Sequence, residues 1–256
     1  MMWPLVLGAS AAAVTLGGVT FYAFHVPSSQ LLGPSLVRGP VDGGRVSLTF
    51  DDGPTAPFTD QILDILRERK VPATFFLCGK NVQRVPESAC RIQSEGHTLG
   101  NHTYSHPYLY FLSRNKMAEE IDRTQEVIER ATGDRPKLFR PPYGAPWFGL
   151  HPLLRERGLQ MVQWSVSGHD WKYDTDAIIR SIMTGLGPGS IILLHDGREP
   201  LPPGRFDQSS TVKALSTIID RAREEGLRFV PITDFLLNSH GLFGFHSGGG
   251  GYSRFP

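Results

Sequence analysis

From residue 45 onward the chain alternates between two hydrophobic periods. Val46, Leu48 and Phe50 alternate with Ser47 and Thr49, the period of a strand with one apolar face. Two carboxylates, Asp51 and Asp52, follow at once, and Gly53-Pro54 stop the strand. Over 58–70 the period changes: Ile62, Leu63, Ile65 and Leu66 recur at helical spacing among charges. Residues 73–78 form an unbroken apolar run, as in a strand buried on both faces. The rest continues in kind. Helices are predicted over 82–95 (broken or started at Pro86), 116–131 (closed by Gly133), 150–157, 174–183 and 211–224, with a last helical turn near Phe235. Strands are predicted at 97–100, 137–139, 159–166, 191–194 and 228–230. Repeated strand-then-helix order predicts parallel strands, in an α/β barrel or an open α/β sheet. No repeat of fixed period is present.

The two ends break this pattern. Residues 1–24 carry no charged side chain and are long enough to cross a bilayer at ~1.5 Å per residue. The stretch 1–26 reads first as an uncleaved transmembrane anchor and second as a cleaved signal peptide. Residues 27–42, rich in Pro, Gly and Ser, read as a linker, and 239–256 as a glycine-rich, disordered tail. That leaves 43–238 for one catalytic-size domain. Arg38 and Arg45 follow the apolar segment, which by the positive-inside rule argues weakly against an external domain.

Composition adds exclusions more than assignments. A hydrophobic fraction of 40% allows a large core, and a net charge of +1 without any basic block gives no case for nucleic acid. Cys78 and Cys90 stand at no metal-knuckle spacing, and are open to a disulfide or to two buried thiols.

The chemistry sits just after the predicted strands, where parallel α/β folds build their sites. Two adjacent carboxylates are costly unless a cation lies opposite them. After the strand ending near Gly100 comes His102-Thr103-Tyr104-Ser105-His106. Read as a helical turn with Asn101 as its N-cap, this places both imidazoles on one face, which suits zinc or a similar divalent ion. Arg140-Pro141-Pro142-Tyr143-Gly144 is a rigid turn led by a permanent cation. Ser167-Gly168-His169-Asp170-Trp171 and His195-Asp196-Gly197 complete the set. Each cluster alone has a plainer reading, as a capped turn, a surface loop or a satisfied core histidine. Five of them in order, each at a strand end, argue against coincidence.

In that order the segments resemble the motifs of the polysaccharide deacetylases (the NodB-homology domain, carbohydrate esterase family 4). The likeness covers roughly residues 44–237. Thr49-Phe50-Asp51-Asp52-Gly53-Pro54 together with the His102–His106 motif carries most of its specificity. The resemblance implies a distorted (β/α) barrel of about seven parallel strands. It also implies one divalent metal ion, zinc first and cobalt or nickel as alternatives, held by Asp52, His102 and His106. Asp51 is the implied general base, with Arg140 as its cation. A backbone N–H at Tyr143 is the implied oxyanion donor. His195 would protonate the leaving amine, with Asp170 orienting it and favouring imidazolium. Trp171 and Leu193 or Leu194 would wall the acetyl-methyl pocket, with Tyr143 alongside. Where many members carry a further Asp, this chain has Ser167, which puts the electrostatics near Arg140 in doubt.

The expected activity is removal of N-acetyl groups from N-acetylglucosamine residues of a polysaccharide (peptidoglycan, chitin-like or exopolysaccharide). The alternatives are an O-acetyl esterase on acetylated xylan or a similar glycan, an amidase on a small cyclic substrate, and a membrane-tethered glycan-binding protein without activity. The expected partner is the polysaccharide alone, with no nucleic acid. A monomer is expected, facing outside the cytoplasm, anchored through the N-terminal segment or secreted if that segment is cleaved.

Overall fold

A computed structural model of the chain describes residues 29–199 and 207–237. Its strands are β1 (Arg45–Asp51), β2 (Ala73–Leu77), β3 (Thr98–Asn101), β4 (Leu138–Phe139), β5 (Gln160–Met161), β6 (Val166–Ser167), β7 (Ile191–His195) and β8 (Arg228–Phe229). Its α-helices are α1 (Phe58–Arg69), α2 (Gly79–Arg84), α3 (Pro86–Ser94), α4 (Arg114–Thr132), α5 (Leu150–Glu156), α6 (Thr175–Gly185), α7 (Ser209–Glu224) and α8 (Thr233–Leu237). Every strand pairing is parallel. The order is β5-β4-β3-β2-β1-β7-β6, with β8 on the start of β1. Among the described residues β5 and β6 do not pair, so the barrel is open on that side, in keeping with the expected distorted (β/α) barrel.

The alternation of β1 decides what faces where. Leu48 and Phe50 pack outward with Ile62, Leu63 and Leu66 of α1 and with Leu215 and Ile218 of α7. Burial of such side chains contributes ~1.5–3 kcal/mol each. Thr49 and Asp51 point the other way, into the barrel, where both accept hydrogen bonds from Arg140. Beneath them Leu36, Phe76, Leu138, Val162, Ile191, Ile232 and Phe235 fill the interior.

Two expectations change here. The strand predicted over 159–166 is two short ones, β5 and β6. Between them the Gln163 N–H donates to Leu36 and the Ser165 N–H to Ile191, so the backbone is drawn to different partners within three residues. The stretch read as a linker is also not free of the fold. Leu36 is buried and bridges Val162 in parallel, and the Gly39 N–H donates to Gly189. This segment therefore runs from the β5 side to the start of β7, across the open side of the barrel.

The ends of the helices follow their sequence signals. Ser113 caps α4 and Gly133 closes it at φ 76°, while Asp174 caps α6 by accepting from the Ala177 N–H. The predicted helix over 82–95 is two helices, α2 and α3, which meet at Pro86. Cys78 is buried, Cys90 exposed, and both are free thiols. The 1–26 segment and the 239–256 tail lie outside the described residues. Among the described residues no helix is long and apolar enough to cross a membrane.

Candidate active site

The acid pair is split by backbone geometry. Asp51 ends β1 on its inward face. Asp52 lies just beyond, at φ 72°, a left-handed conformation uncommon outside glycine. Strand alternation would have sent its side chain away from the interior; the turn brings it back. Asn81 Nδ2 donates to the Asp52 carbonyl at 2.6 Å and pins this turn. Both carboxylates are buried.

Asp52 Oδ1 lies 3.2 Å from Nε2 of His102 and 3.2 Å from Nε2 of His106. The two histidines do not reach it from a helical turn, as the spacing had implied. Residues 102–106 form an irregular loop with left-handed backbone at Thr103 (φ 67°) and His106 (φ 54°). Asn101 is the last residue of β3 rather than a helix cap. Its Oδ1 accepts from the Thr103 N–H at 2.9 Å, and the Thr103 hydroxyl accepts from the His106 N–H. Glu120 of α4 takes up the Tyr104 and Ser105 N–H groups at 2.9 and 2.8 Å. Side chains satisfy the loop's amides, so no helical bonds are needed.

These three residues fit a bound cation. His102 Nδ1 lies 2.8 Å from the Arg140 carbonyl, which only accepts, so Nδ1 carries the hydrogen and Nε2 presents a lone pair. Burial pushes the His106 imidazole down to about 4, so it is neutral at ordinary pH. Burial works against the charge on Asp52, but His106 and His102 outweigh it and hold the carboxyl well below the usual carboxylate range. Asp52 Oδ1, buried, has no hydrogen-bond partner. An orphaned anionic oxygen facing the Nε2 atoms of two imidazoles, all within 4.8 Å of one another, fits the donor set of a divalent metal ion with a position left open.

Arg140 lies wholly inside the barrel. It donates from Nη1 to Asp51 Oδ1 (2.6 Å) and Thr49 Oγ1 (2.8 Å), from Nε to the Val162 carbonyl (3.2 Å) and from Nη2 to the Gln163 carbonyl (2.9 Å). Its guanidinium also sits 4.1 Å above the Phe76 ring. Asp51 Oδ2 stays on the metal side, 3.7 Å from His102 Nε2. So the like charges of the pair meet different partners, Asp51 the arginine and Asp52 the histidines.

On the other side of β1, His195 ends β7 opposite Asp51 in the ladder. Its Nδ1 lies 2.8 Å from Asp170 Oδ1. Burial opposes charge on this imidazole, but Asp170 outweighs it and lifts the pKa to about 9. Asp170 Oδ2 accepts three further bonds, from the His195 N–H (2.8 Å), Gln208 Nε2 (2.9 Å) and the Thr211 hydroxyl (2.7 Å). Gln208 and Thr211 were not singled out from sequence. They stand at the start of α7, far along the chain, and no local signal marks them. Asn81 and Glu120 were likewise not singled out.

The remaining expected residues also gather here. Tyr143, at φ 59°, packs its half-exposed ring edge-on against His106, with centroids 4.5 Å apart. Trp171 stands edge-on to His195 at 5.2 Å. Between Leu193 and Leu194, left open by sequence, alternation favours Leu193: Leu194 packs in the helix-facing core, while Leu193 shares the face of His195. Ser167 Oγ accepts from the His169 N–H and is not among the partners of Arg140. Asp196, given no role from sequence, is buried against Gly53; burial lifts its carboxyl to about 7, and Thr59 bonds it at 2.6 Å.

Comparison with known proteins agrees with this geometry. The family model described as polysaccharide deacetylase matches residues 38–162. A peptidoglycan-N-acetylglucosamine deacetylase of Bacillus cereus is 41% identical over 202 residues, covering 78% of this chain and 71% of that protein. One from Listeria monocytogenes is 35% identical over 191 residues, covering 74% of this chain but only 38% of that longer protein. A crystal structure of a peptidoglycan N-acetylglucosamine deacetylase, in complex with a naphthalenyl N-oxidanyl-benzamide, superposes with a TM-score of 0.73 at 39% identity, covering 78% of this chain and 92% of the other. With parallel-strand ends, acid pair and histidines in one place, and relatives of this likeness, the chain belongs to the polysaccharide deacetylase family.

Proposed function

We propose that this protein is a metal-dependent hydrolase that removes N-acetyl groups from the N-acetylglucosamine residues of peptidoglycan, releasing acetate. One observation carries the reading: the Asp52-His102-His106 cluster lies between two differently prepared groups, Asp51 on Arg140 and His195 on Asp170. A divalent ion bound by Asp52, His102 and His106, zinc first, would supply Lewis-acid polarisation of the acetyl carbonyl and a more acidic water. Arg140 occupies Asp51 Oδ1, which leaves Oδ2 to take the proton from the attacking water. The backbone at Tyr143 faces the developing oxyanion. Tyr143, Trp171 and Leu193 enclose the acetyl methyl. With Nδ1 committed to Asp170, His195 is protonated at neutral pH and delivers a proton from Nε2 to the departing amine.

This last pair favours the amide over an acetyl ester, because an alkoxide leaves more readily than an unprotonated amine. Peptidoglycan is favoured by the names of the Bacillus and Listeria relatives. Such a substrate places the catalytic domain, residues 43–238, outside the cytoplasm, with residues 1–26 as its anchor or export signal.

The test is acetate release from peptidoglycan, chito-oligosaccharides and acetylated xylan, with and without chelator. Release from N-acetylated glycans that stops with chelator and returns with zinc or cobalt is expected. Full activity in excess chelator would overturn the metal reading, and release from xylan alone would overturn the amide reading.

A further inference from the structure

Acetyl removal occupies one sugar at a time, yet the surface beside the site is built over a longer reach. His106 touches the Tyr143 ring, and Tyr143 stacks on Tyr108 with centroids 3.8 Å apart and planes at 11°. Tyr108 meets Tyr110 at 5.2 Å and Phe111 at 6.3 Å. Tyr110 meets Trp147 at 6.0 Å, and Trp147 meets Phe148 at 5.1 Å. The six rings thus form an unbroken path outward from a metal-site histidine. Its outer end is exposed: Phe111 is 77% and Phe148 63% accessible. Scattered exposed apolar residues are ordinary, but a contiguous row leading from a polar site marks a binding surface.

The row is held in place. Leu109, between Tyr108 and Tyr110, is buried in a core cluster with Met117, Ile121 and Phe139, and Trp147 packs against the same cluster. So the rings stand on anchored turns from two segments that are distant in sequence.

Resting on the proposed activity, we infer that this aromatic row is an extended subsite on which the pyranose rings flanking the reacting N-acetylglucosamine stack. Three features select that occupant. The row is continuous with the deacetylation site. Residues 107–112 and 141–150 carry no charged side chain, which suits a neutral sugar and not a polyanion. Half of the rings are tyrosines, whose apolar face and hydroxyl match the C–H face and hydroxyl rim of a sugar, as an aliphatic surface would not. A lipid surface would call for basic residues beside the rings, and these segments have none.

The test compares the zinc-loaded full chain with its Phe111→Ala/Phe148→Ala variant on N-acetylglucosamine oligomers, from a disaccharide to a hexasaccharide. Removing two stacking rings is expected to raise KM for the hexasaccharide about tenfold, equivalent to ~1.4 kcal/mol. The disaccharide, too short to reach the outer rings, is expected to change far less, and kcat on the hexasaccharide to change little. The same chain-length dependence in both proteins would overturn the inference. So would vesicle binding, or self-association seen by ultracentrifugation, that the variant abolishes. If the wild type releases no acetate, the proposed activity fails by itself. Saturation-transfer NMR with the hexasaccharide then decides the subsite separately: signal lost in the variant supports it, and equal signal refutes it.

Discussion

Replacing Asp170 with Asn isolates the electrostatics of the proton donor. Burial opposes charge on His195, but Asp170, whose Oδ1 sits 2.8 Å from His195 Nδ1, outweighs it together with the charges of Asp52 and Asp51 and lifts the imidazole from 6.5 to about 9. At ~1.4 kcal/mol per pH unit, that interval favours the protonated form by about 3 kcal/mol. A group whose pKa rises on folding stabilises the fold fully below its unfolded value and loses that contribution as pH climbs through its folded value. His195 therefore adds about 3 kcal/mol to stability below pH ~6.5, and almost none of it is left above pH ~9. In Asp170→Asn the strongest opposition to burial is gone, only the charges of Asp52 and Asp51 remain against it, and His195 is expected to titrate well below 9. NMR titration of the imidazoles in chelator-treated proteins reads this directly, with His195→Gln to assign the signal. Chemical denaturation reads the linkage: the stability gap between wild type and variant is expected to shrink by up to about 3 kcal/mol between pH ~6 and pH ~9.5. A gap that is equal at both ends, or a His195 that still titrates near 9 in the variant, would refute the reasoning.

Asp51→Asn is expected to abolish acetate release while zinc content, measured by elemental analysis, stays near one per chain. It should also lower the unfolding temperature, because Arg140 is left buried without its charge partner, a loss of ~3–5 kcal/mol; loss of zinc together with activity would show that the roles of Asp51 and Asp52 are misassigned. Thr211→Val removes the 2.7 Å donor to Asp170, a charge-assisted bond of ~1.5–3 kcal/mol. Its kcat on N-acetyl substrates is expected to fall about tenfold, while Thr211→Ser stays close to wild type. Equal losses in the two variants, or an equal loss on activated acetyl esters that need no proton for departure, would count against Thr211 as a positioning residue.

Much of the protein is written locally. Alternation in 46–50 fixes which side chains face the helices and which face the interior, so Asp51 was placeable from its phase with Thr49 alone. Pro86, Ser113, Gly133 and Asp174 set helix ends because caps and breakers act within one turn. Strand-then-helix repetition implies parallel pairing, and parallel pairing puts strand ends, and the polar clusters after them, on one side.

What the sequence determined by itself is therefore the menu of groups: two acids, two metal-capable histidines, a cation and a proton donor, each at a strand end. What only the tertiary structure decided is how they are held. The 102–106 spacing is as compatible with a helical turn as with the observed loop, and Glu120 on α4 settles it by taking the loop's amides. The strand over 159–166 breaks because Leu36 and Ile191 compete for its backbone, and the Pro- and Gly-rich stretch before β1 gains structure by the same contact. Asp170 acquires Gln208 and Thr211 across some forty residues of chain. Hydrogen bonds of this kind depend on which groups folding leaves buried near one another, and no local period encodes that.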